Sequence, residues 1–174
     1  MKRIVDPFDY AGHICKAMKK GILLTTKAGD TVNTMTIGWG HIGIEWGKPI
    51  FVAYVRESRH TKPMLDESGA FTVNIPMGDI DPKILGYCGT KSGRDTDKIR
   101  DLGVTLEAGE TVAVPGIKEL PLTLECKVIF KQDQDESILP PELYARYYPT
   151  TEAAPGGDYH TAYYGQIMSA YIIE

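Results

Sequence analysis

The stretch from Thr31 to Thr61 decides the fold of this chain. It opens with T-V-N-T-M-T-I-G-W-G (residues 31–40), passes through a Gly-rich connection and closes with P-I-F-V-A-Y-V-R-E-S-R-H-T (residues 49–61). Between Met35 and Trp39, apolar side chains alternate with threonine or glycine, which is the period-two pattern of a half-buried strand. The run from Ile50 to Val55 is continuously apolar and rich in β-branched and aromatic residues, so it predicts a strand covered on both faces.

The residues after this second strand form a candidate anion site. The segment from Arg56 to Thr61 contains two arginines and two hydroxyl side chains. Thr61 is placed to cap a helix that holds Pro63 in its first turn. A helix N-terminus offers unpaired N–H groups, and arginine binds phosphate oxygens through a planar fork of donors. The segment predicts a phosphate cradle with the Asn33–Trp39 strand as the wall beside it. The alternative is an ordinary capped surface helix with solvated arginines.

Length and charge narrow the class of protein. The 174 residues, 43% of them hydrophobic, predict a single soluble domain over residues 1–174. A formal net charge of −4 gives no electrostatic case for nucleic-acid binding. No apolar run approaches the roughly 20 residues of a membrane span, and the first residues lack the apolar stretch of a signal peptide. We therefore expect a cytoplasmic protein with no membrane or nucleic-acid partner.

The cysteine and histidine patterns predict no metal site. The three cysteines, Cys15, Cys88 and Cys126, are widely spaced and form no C-x-x-C motif. They are expected to be buried, reduced thiols, but Cys88 precedes a Gly-rich cationic loop in which a thiolate could be stabilised. The four histidines are scattered along the chain. Common hydrolase, protease and P-loop motifs do not occur, so an enzyme with this sequence would use a bound cofactor.

Short strands and a few short helices account for the rest of the chain. Helices are predicted over Asp9–Lys20, Thr61–Ser68, Asp81–Tyr87 and Glu142–Tyr148, and a further short helix capped by Thr96 or Asp97 is predicted to end at Gly103. Further strands are predicted over Ile22–Lys27, Ala70–Ile75, Val104–Glu107, Leu122–Lys131 (one face largely exposed) and Tyr159–Ile173, with a Pro/Gly-rich loop over Thr150–Asp158. About seven strands without regular helix alternation predict a mainly β fold, a closed or nearly closed antiparallel barrel with short helices.

The segment Gly38–Gly43 matches the dinucleotide motif G-x-G-x-x-G but does not fit its structural context. The motif must open a crossover helix, and the next predicted strand already begins at Ile50. We therefore reject a Rossmann fold and predict that these glycines lie in a loop.

A second cationic segment follows the third predicted helix. Lys91-Ser92-Gly93-Arg94 combines a hydroxyl, two cations and a glycine whose backbone can approach a ligand closely. A solvated surface loop is the alternative interpretation.

Five pieces of the chain, in this order, resemble the flavin reductase-like family, whose members bind FMN on an antiparallel split β-barrel; the flavoredoxin branch is the most similar. The pieces are N-T-M-T-I-G-W (residues 33–39), R-E-S-R-H-T (56–61), F-T-V-N-I-P (71–76), C-G-T-K-S-G-R-D-T-D-K (88–98), and His160 with Gly165-Gln166-Ile167. The resemblance covers nearly the whole chain.

The resemblance implies where FMN would bind. The flavin ring would lie against the first strand, at Asn33, Thr34, Met35, Thr36, Gly38 and Trp39. The phosphate would be held by Arg56, Ser58 and Thr61. The second cationic segment would close over the phosphate or the ring edge, through Lys91, Ser92, Gly93 and Arg94 together with Lys98. His160 is the one candidate for a catalytic proton donor, and a strand-end histidine bonded to backbone is the alternative.

The resemblance also implies an FMN-dependent oxidoreductase that passes electrons between NADH, NADPH or a redox protein and an acceptor. It implies a homodimer. Two alternatives stay open: a non-catalytic electron carrier of the flavoredoxin type, and a module that binds a small phosphate ligand without a redox role. No NAD(P)H pocket is recognisable in the sequence.

Overall fold

A computed structural model describes residues 1–152 and 154–174, which form an antiparallel sheet flanked by short helices. The elements in chain order are β1 (Lys2–Ile4), a 3₁₀ turn (Pro7–Tyr10), α1 (Ala11–Met18), β2 (Ile22–Ala28), β3 (Thr31–Ile37), β4 (Gly40–Glu45), β5 (Lys48–Arg56), α2 (Thr61–Ser68), β6 (Ala70–Ile75), α3 (Pro82–Thr90), α4 (Lys98–Leu102), β7 (Leu106–Glu107), β8 (Gly116–Ile117), β9 (Leu122–Asp133), a 3₁₀ turn (Glu136–Ile138), α5 (Pro141–Tyr147) and β10 (His160–Ile173). None of the helices within the described ranges is long and apolar enough to span a membrane.

Most of the strands belong to one eight-stranded sheet. Its hydrogen-bonded order is β3-β2-β6-β9-β10-β5-β4, with β1 paired to β10, and β7 and β8 form a separate pair. β3 and β4 stand at opposite ends of this order although only Gly38 and Trp39 separate them in sequence. The sheet is therefore split at the segment that the sequence singled out as the wall of a site.

The two longest strands, β9 and β10, hold the middle of the sheet. They pair from Thr161 opposite Asp133 to Ile172 opposite Leu122, with irregularities after Tyr164 and after Ile167. The main core lies against them and includes large side chains that are completely buried, among them Ile14, Phe51, Phe71 and Tyr163. A second, smaller core packs beneath α3 and includes Leu23, Ile84 and Leu120. The burial of these apolar side chains stabilises the sheet and so holds β3 and β4 in position on either side of the split.

The local patterns of the sequence predict several elements correctly. The hairpin of β2 and β3 pairs Ile22 with Ile37 through Ala28 with Thr31, as expected for two alternating runs around a Gly turn. The predicted bounds of α2 and β6 are confirmed, and α2 ends at Gly69 with φ 63°. Asp97 caps α4 by accepting a hydrogen bond from Arg100 N at 3.1 Å, and α4 ends at Gly103.

Other predictions are wrong. The described residues contain ten strands rather than seven, because β1, β4 and β8 carried no clear period-two signal. Gly40 and Gly43 lie in β4 and not in a loop. The first helix is shorter than predicted, α3 extends to Thr90, and β9 is buried on both faces from Leu122 to Cys126. The predicted loop over Thr150–Asp158 contains Ala153, which lies outside the described residues.

Candidate functional site

Two adjoining cavities lie beside β3 and together form what we call the groove. The cationic cavity, about 130 Å³, is lined by Asn33, Met35, residues 58–61, residues 90–94 and Lys98. The aromatic cavity, about 150 Å³, is lined by residues 35–39, Tyr54, Arg56, Arg59 and His160. Met35 and Arg59 line both cavities, so one ligand can reach from the cationic end to the aromatic end.

The cationic cavity holds basic side chains that keep spare donors. Arg59 Nη1 donates to Gly89 O at 3.1 Å, and Arg94 Nη1 donates to Ser58 O at 3.1 Å. Lys98 Nζ donates to Thr34 O at 2.9 Å and to Cys88 O at 3.0 Å. A guanidinium carries about five N–H donors and an ammonium about three, so each of these groups retains donors for a ligand. The set suits a polyanionic group such as a phosphate.

Burial of Lys98 makes an anion favourable in this cavity. The residue is only 4% exposed, and burial lowers the pKa of Lys98, with the charge of Arg59 adding to the lowering. The pKa of His60, which also lines this cavity, is lowered by burial and by the neighbouring Arg94 and Lys98. A bound anion would supply the opposite charge that these groups lack and would relieve their mutual repulsion.

β3 and the two residues that follow it supply the wall of the groove. Asn33 is buried and its Nδ2 donates to Thr61 Oγ1 at 2.9 Å, which ties β3 to the first residue of α2. The Thr36 hydroxyl donates to Leu85 O at 2.7 Å, which ties β3 to α3. Thr34 points into the core, where its hydroxyl accepts from Thr25 Oγ1 at 3.0 Å, and only its carbonyl faces Lys98. The prediction that Thr61 caps α2 is wrong, since His60 occupies the cap position without a side-chain hydrogen bond.

Arg56 and Ser58 lie in the groove, but their donors are directed to the protein. Arg56 Nη1 donates to Asp158 O at 2.8 Å, and both its terminal nitrogens donate to Tyr147 O at 3.2 Å. The carboxylate of Asp158 accepts from Ser58 N at 2.9 Å and from Ser58 Oγ at 2.7 Å. Asp158 therefore already occupies the position that an anion would take on Ser58.

His160 stands at the aromatic end of the groove as a neutral side chain. Its Nδ1 lies 2.9 Å from the Tyr148 hydroxyl, and its ring centroid is 4.9 Å from that of Trp39. Burial lowers the pKa of His160 to about 4, and repulsion from Arg56 contributes. At neutral pH this histidine can donate a hydrogen bond through the N–H of a neutral ring but cannot act as an imidazolium acid. Its partner is a tyrosine hydroxyl, not the backbone.

The prediction for the cysteines is partly wrong. Cys88 and Cys126 are buried and free, but Cys15 is exposed. Burial raises the pKa of Cys88 to about 11 although Lys98 acts in the opposite direction, so the cationic loop does not stabilise a thiolate there. Among the residues that the structure describes, no group of three or more His, Cys, Asp or Glu side chains is placed to hold a metal ion.

The groove brings together all the predicted cofactor residues except Thr34. Arg59 was part of the predicted cradle but not assigned a ligand role, and the structure puts it at the junction of the two cavities. Tyr54 lies in a continuously apolar run, where no alternation of apolar and polar residues marks it as a site residue. Asp158 carried no signal, because it is about a hundred residues from Ser58 in sequence and only the fold joins them.

Comparison with known proteins identifies the family. Residues 17–174 match the model of the flavin reductase like domain. The chain belongs to the flavin reductase-like family. It is 25% identical to the flavoredoxin of Desulfovibrio vulgaris (Miyazaki F), with a TM-score of 0.65 over 88% of this chain and 69% of that one. It is 26% identical to the flavoredoxin from Methanosarcina acetivorans, with a TM-score of 0.63 over 88% of this chain and 68% of that one.

These matches place the chain in the flavoredoxin branch of a family of flavin-related oxidoreductases and electron carriers. The antiparallel split barrel predicted from the sequence is confirmed. An uncharacterized protein of Archaeoglobus fulgidus is 32% identical over 97 residues, which cover 56% of this chain. The match spans only 54% of that relative's own length.

Proposed function

We propose that the groove binds FMN and that the chain is an FMN-dependent oxidoreductase. The proposal is supported by the junction of the two cavities at Met35 and Arg59, which joins a set of phosphate donors to an aromatic surface. A flavin mononucleotide has the same two parts, a charged phosphate and a flat ring. When bound, FMN supplies the capacity to accept and release electrons, and the protein supplies binding, orientation and access.

The geometry favours a particular division of roles among the residues. Arg59, Lys91, Arg94 and Lys98 would hold the phosphate, with the hydroxyls of Ser92 and Thr61 beside them. The backbone from Met35 to Trp39 would face the ring. Arg56 and Ser58 would act on the phosphate indirectly, because their donors hold Tyr147 and Asp158. His160 would stand near the ring as a neutral donor oriented by Tyr148.

The similarity to two flavoredoxins favours a second candidate, a non-catalytic electron carrier that uses the same FMN. The two functions differ in the source of electrons. A reductase would take them from NADH or NADPH, and a carrier would take them from a redox protein. In either case we propose a homodimer, which light scattering would test.

The visible absorption spectrum tests the proposal. The protein would be saturated with FMN, separated from free flavin and titrated anaerobically with NADH, then NADPH, then dithionite. Bleaching of the flavin bands by either nucleotide is the result expected of a reductase. Bleaching by dithionite alone would select the carrier. Failure of the protein to retain FMN, together with no binding in a fluorescence titration, would overturn the assignment of the groove.

A further inference from the structure

A larger cavity opens next to the aromatic end of the groove. This cavity, which we call the α1–α5 cleft, has a volume of about 560 Å³. It shares Gly38, Trp39 and Tyr54 with the aromatic cavity. Its other walls come from α1, β4, and the segment from Gln134 to Tyr148. The size lies within the roughly 300–1,000 Å³ of pockets that hold small molecules.

The walls of the cleft are mainly aromatic and aliphatic. Trp39 packs edge-on against Tyr147, with ring centroids 5.2 Å apart and an interplanar angle of 84°. Met18, Leu139 and Leu143 supply aliphatic surface. Trp39 is 42% exposed and Leu143 is 41% exposed, so the cleft presents large apolar side chains to solvent. A flat apolar ligand would cover this surface and gain aromatic contacts with Trp39.

Polar side chains interrupt the apolar lining at Tyr54 and His41 and at Gln134, Tyr147 and Tyr148. The Tyr54 hydroxyl lies 3.3 Å from His41 Nδ1, and both residues line the cleft. Burial raises the pKa of Tyr54, so the phenol keeps its proton and remains a hydrogen-bond donor across the neutral pH range. The Tyr148 hydroxyl is already bonded to His160 Nδ1, whereas the Tyr54–His41 pair can orient a ligand that carries an acceptor, such as a carbonyl oxygen. Lys19 is the one cation of the lining, and it is exposed, so the described walls offer little to a polyanion.

We propose that the α1–α5 cleft binds a small planar aromatic carbonyl compound beside the flavin groove. The ring of the compound would contact Trp39, and its carbonyl oxygen would accept a hydrogen bond from the Tyr54–His41 pair. The proposal rests on the proposed function in one respect, because the cleft shares Trp39 with the proposed site of FMN. Binding in the cleft does not itself require a flavin and can be measured separately.

Trp39 is a direct reporter of the cleft. The chain contains two tryptophans, Trp39 and Trp46, so ¹⁵N-tryptophan labelling yields two indole N–H signals. A Trp46→Phe variant assigns them. Trp46 contacts Phe130 and Tyr164 on another part of the sheet and serves as the internal control. The probe is 4-hydroxyacetophenone, titrated into FMN-saturated protein. We expect the Trp39 signal to shift on saturation and the Trp46 signal to stay in place.

Two variants of α1 test the location. Cys15 lines the cleft and is exposed, so Cys15→Phe fills the cleft without entering the core. Lys16→Phe places the same side chain at the next exposed position of the same helix, outside the cleft lining. We expect Cys15→Phe to weaken probe binding by at least about tenfold and Lys16→Phe to change it by less than about twofold, with FMN affinity unchanged in both.

Three results would overturn the proposal. They are the absence of a Trp39 shift, equal weakening by the two phenylalanine variants, and loss of the Trp39 response once FMN is bound, which would mean that the flavin itself fills the cleft. If FMN does not bind at all, the proposed function fails. The same titration on flavin-free protein would then still decide whether the cleft binds the probe.

Discussion

Gly93 lies against Asn33 so closely that no β-carbon fits between the second cationic segment and β3. An added Cβ would overlap Asn33 Oδ1 and would approach His60 Cδ2 to 2.8 Å. Glycine at this position therefore lets the loop from Lys91 to Arg94 close onto the strand, and the closed loop brings Arg94 within hydrogen-bond distance of Ser58 O. The cationic cavity depends on this contact.

Replacement of Gly93 by alanine should weaken FMN binding without unfolding the protein. The methyl group would push the loop away from β3 and separate Arg94 and Lys91 from the phosphate. We expect the dissociation constant for FMN to rise by about tenfold or more, since loss of one charge-assisted contact is worth about 1–3 kcal/mol. Fluorescence titration with FMN measures the effect.

Gly86→Ala is the matched control for the Gly93 substitution. Gly86 lies in α3 with no atom within 4 Å of an added Cβ. It should leave FMN affinity unchanged and stabilise the helix by about 0.5–1 kcal/mol. Equal FMN affinity in Gly93→Ala and the unmodified protein would show that loop closure is not needed for binding.

Arg59 and Arg56 should respond differently to substitution by alanine. Arg59 donates to one carbonyl and faces both cavities, whereas Arg56 holds Tyr147 and Asp158 in place. Arg59→Ala should cost about 1–3 kcal/mol of FMN binding with little change in the free energy of unfolding. Arg56→Ala should lower the free energy of unfolding as well, because the partly buried carbonyl oxygens of Tyr147 and Asp158 lose a donor.

Calorimetric titration with FMN and urea unfolding separate these two effects. Arg3→Ala serves as the control for the loss of a positive charge, since Arg3 pairs with Glu174 at an exposed site away from the groove. It should change neither quantity appreciably. If Arg59→Ala and Arg3→Ala bind FMN equally well, Arg59 is not a phosphate ligand.

Local patterns were enough to predict the elements that carry strong periodicity or capping signals. β3, β6 and α2 could be read from alternation and from the Gly69 terminator, and the two cationic segments were recognised as candidate parts of a site. The fold class could also be predicted, because many short strands that do not alternate with helices fit only a few architectures, chiefly sandwiches and barrels. These features depend on residues close together in sequence.

Features that depend on distant contacts could not be predicted. β4 is a strand because it pairs with β5, although its sequence is rich in glycine. The neutral state of His160 depends on its burial beside Tyr148 and Trp39. The Ser58 hydroxyl donates its hydrogen bond to Asp158, a residue far away in sequence. The α1–α5 cleft is formed by segments more than a hundred residues apart in sequence, so no local sequence pattern could predict it.

Glu125 anchors the loop between β7 and β8 to the sheet. The residue is completely buried, and its carboxylate accepts hydrogen bonds from Glu110 N, Thr111 N and Thr111 Oγ1, each at 2.6 Å. Burial acts to raise its pKa, but these hydrogen bonds outweigh it and hold the pKa of Glu125 below its ordinary value. The carboxylate is therefore the stable form in the fold.

Glu125→Gln should lower the free energy of unfolding by about 1–3 kcal/mol, because an amide NH₂ cannot accept from the donors that the carboxylate satisfied. Denaturant unfolding at neutral pH measures the loss. Glu67→Gln, at an exposed position in α2, is the control and should be nearly neutral. Because the folded-state pKa is lowered, the contribution of Glu125 is present above its ordinary pKa and disappears as the pH falls below it. A variant as stable as the parent would show that the loop is held by other contacts.

His160 should make the fold less stable in mild acid. Its pKa is about 4 in the folded protein against an ordinary value of 6.5, so the unfolded chain binds more protons between these pH values. The free energy of unfolding therefore rises with pH across this window and falls as the pH drops toward 4. The shift predicts a loss of about 2 kcal/mol between about pH 7 and about pH 5 from this residue.

His160→Gln removes the titration and keeps a side chain that can hydrogen-bond Tyr148. Urea unfolding at the two pH values should therefore show a smaller acid-induced loss in the variant than in the parent. His60, whose pKa is also lowered, contributes to the slope of both proteins, so the difference between them isolates His160. Substitution of the exposed His13 by glutamine is the control for a general effect of removing a histidine. Parallel pH profiles for the parent and His160→Gln would mean that His160 is protonated as easily in the fold as in the unfolded chain, and the neutral donor assigned to the groove would have to be abandoned.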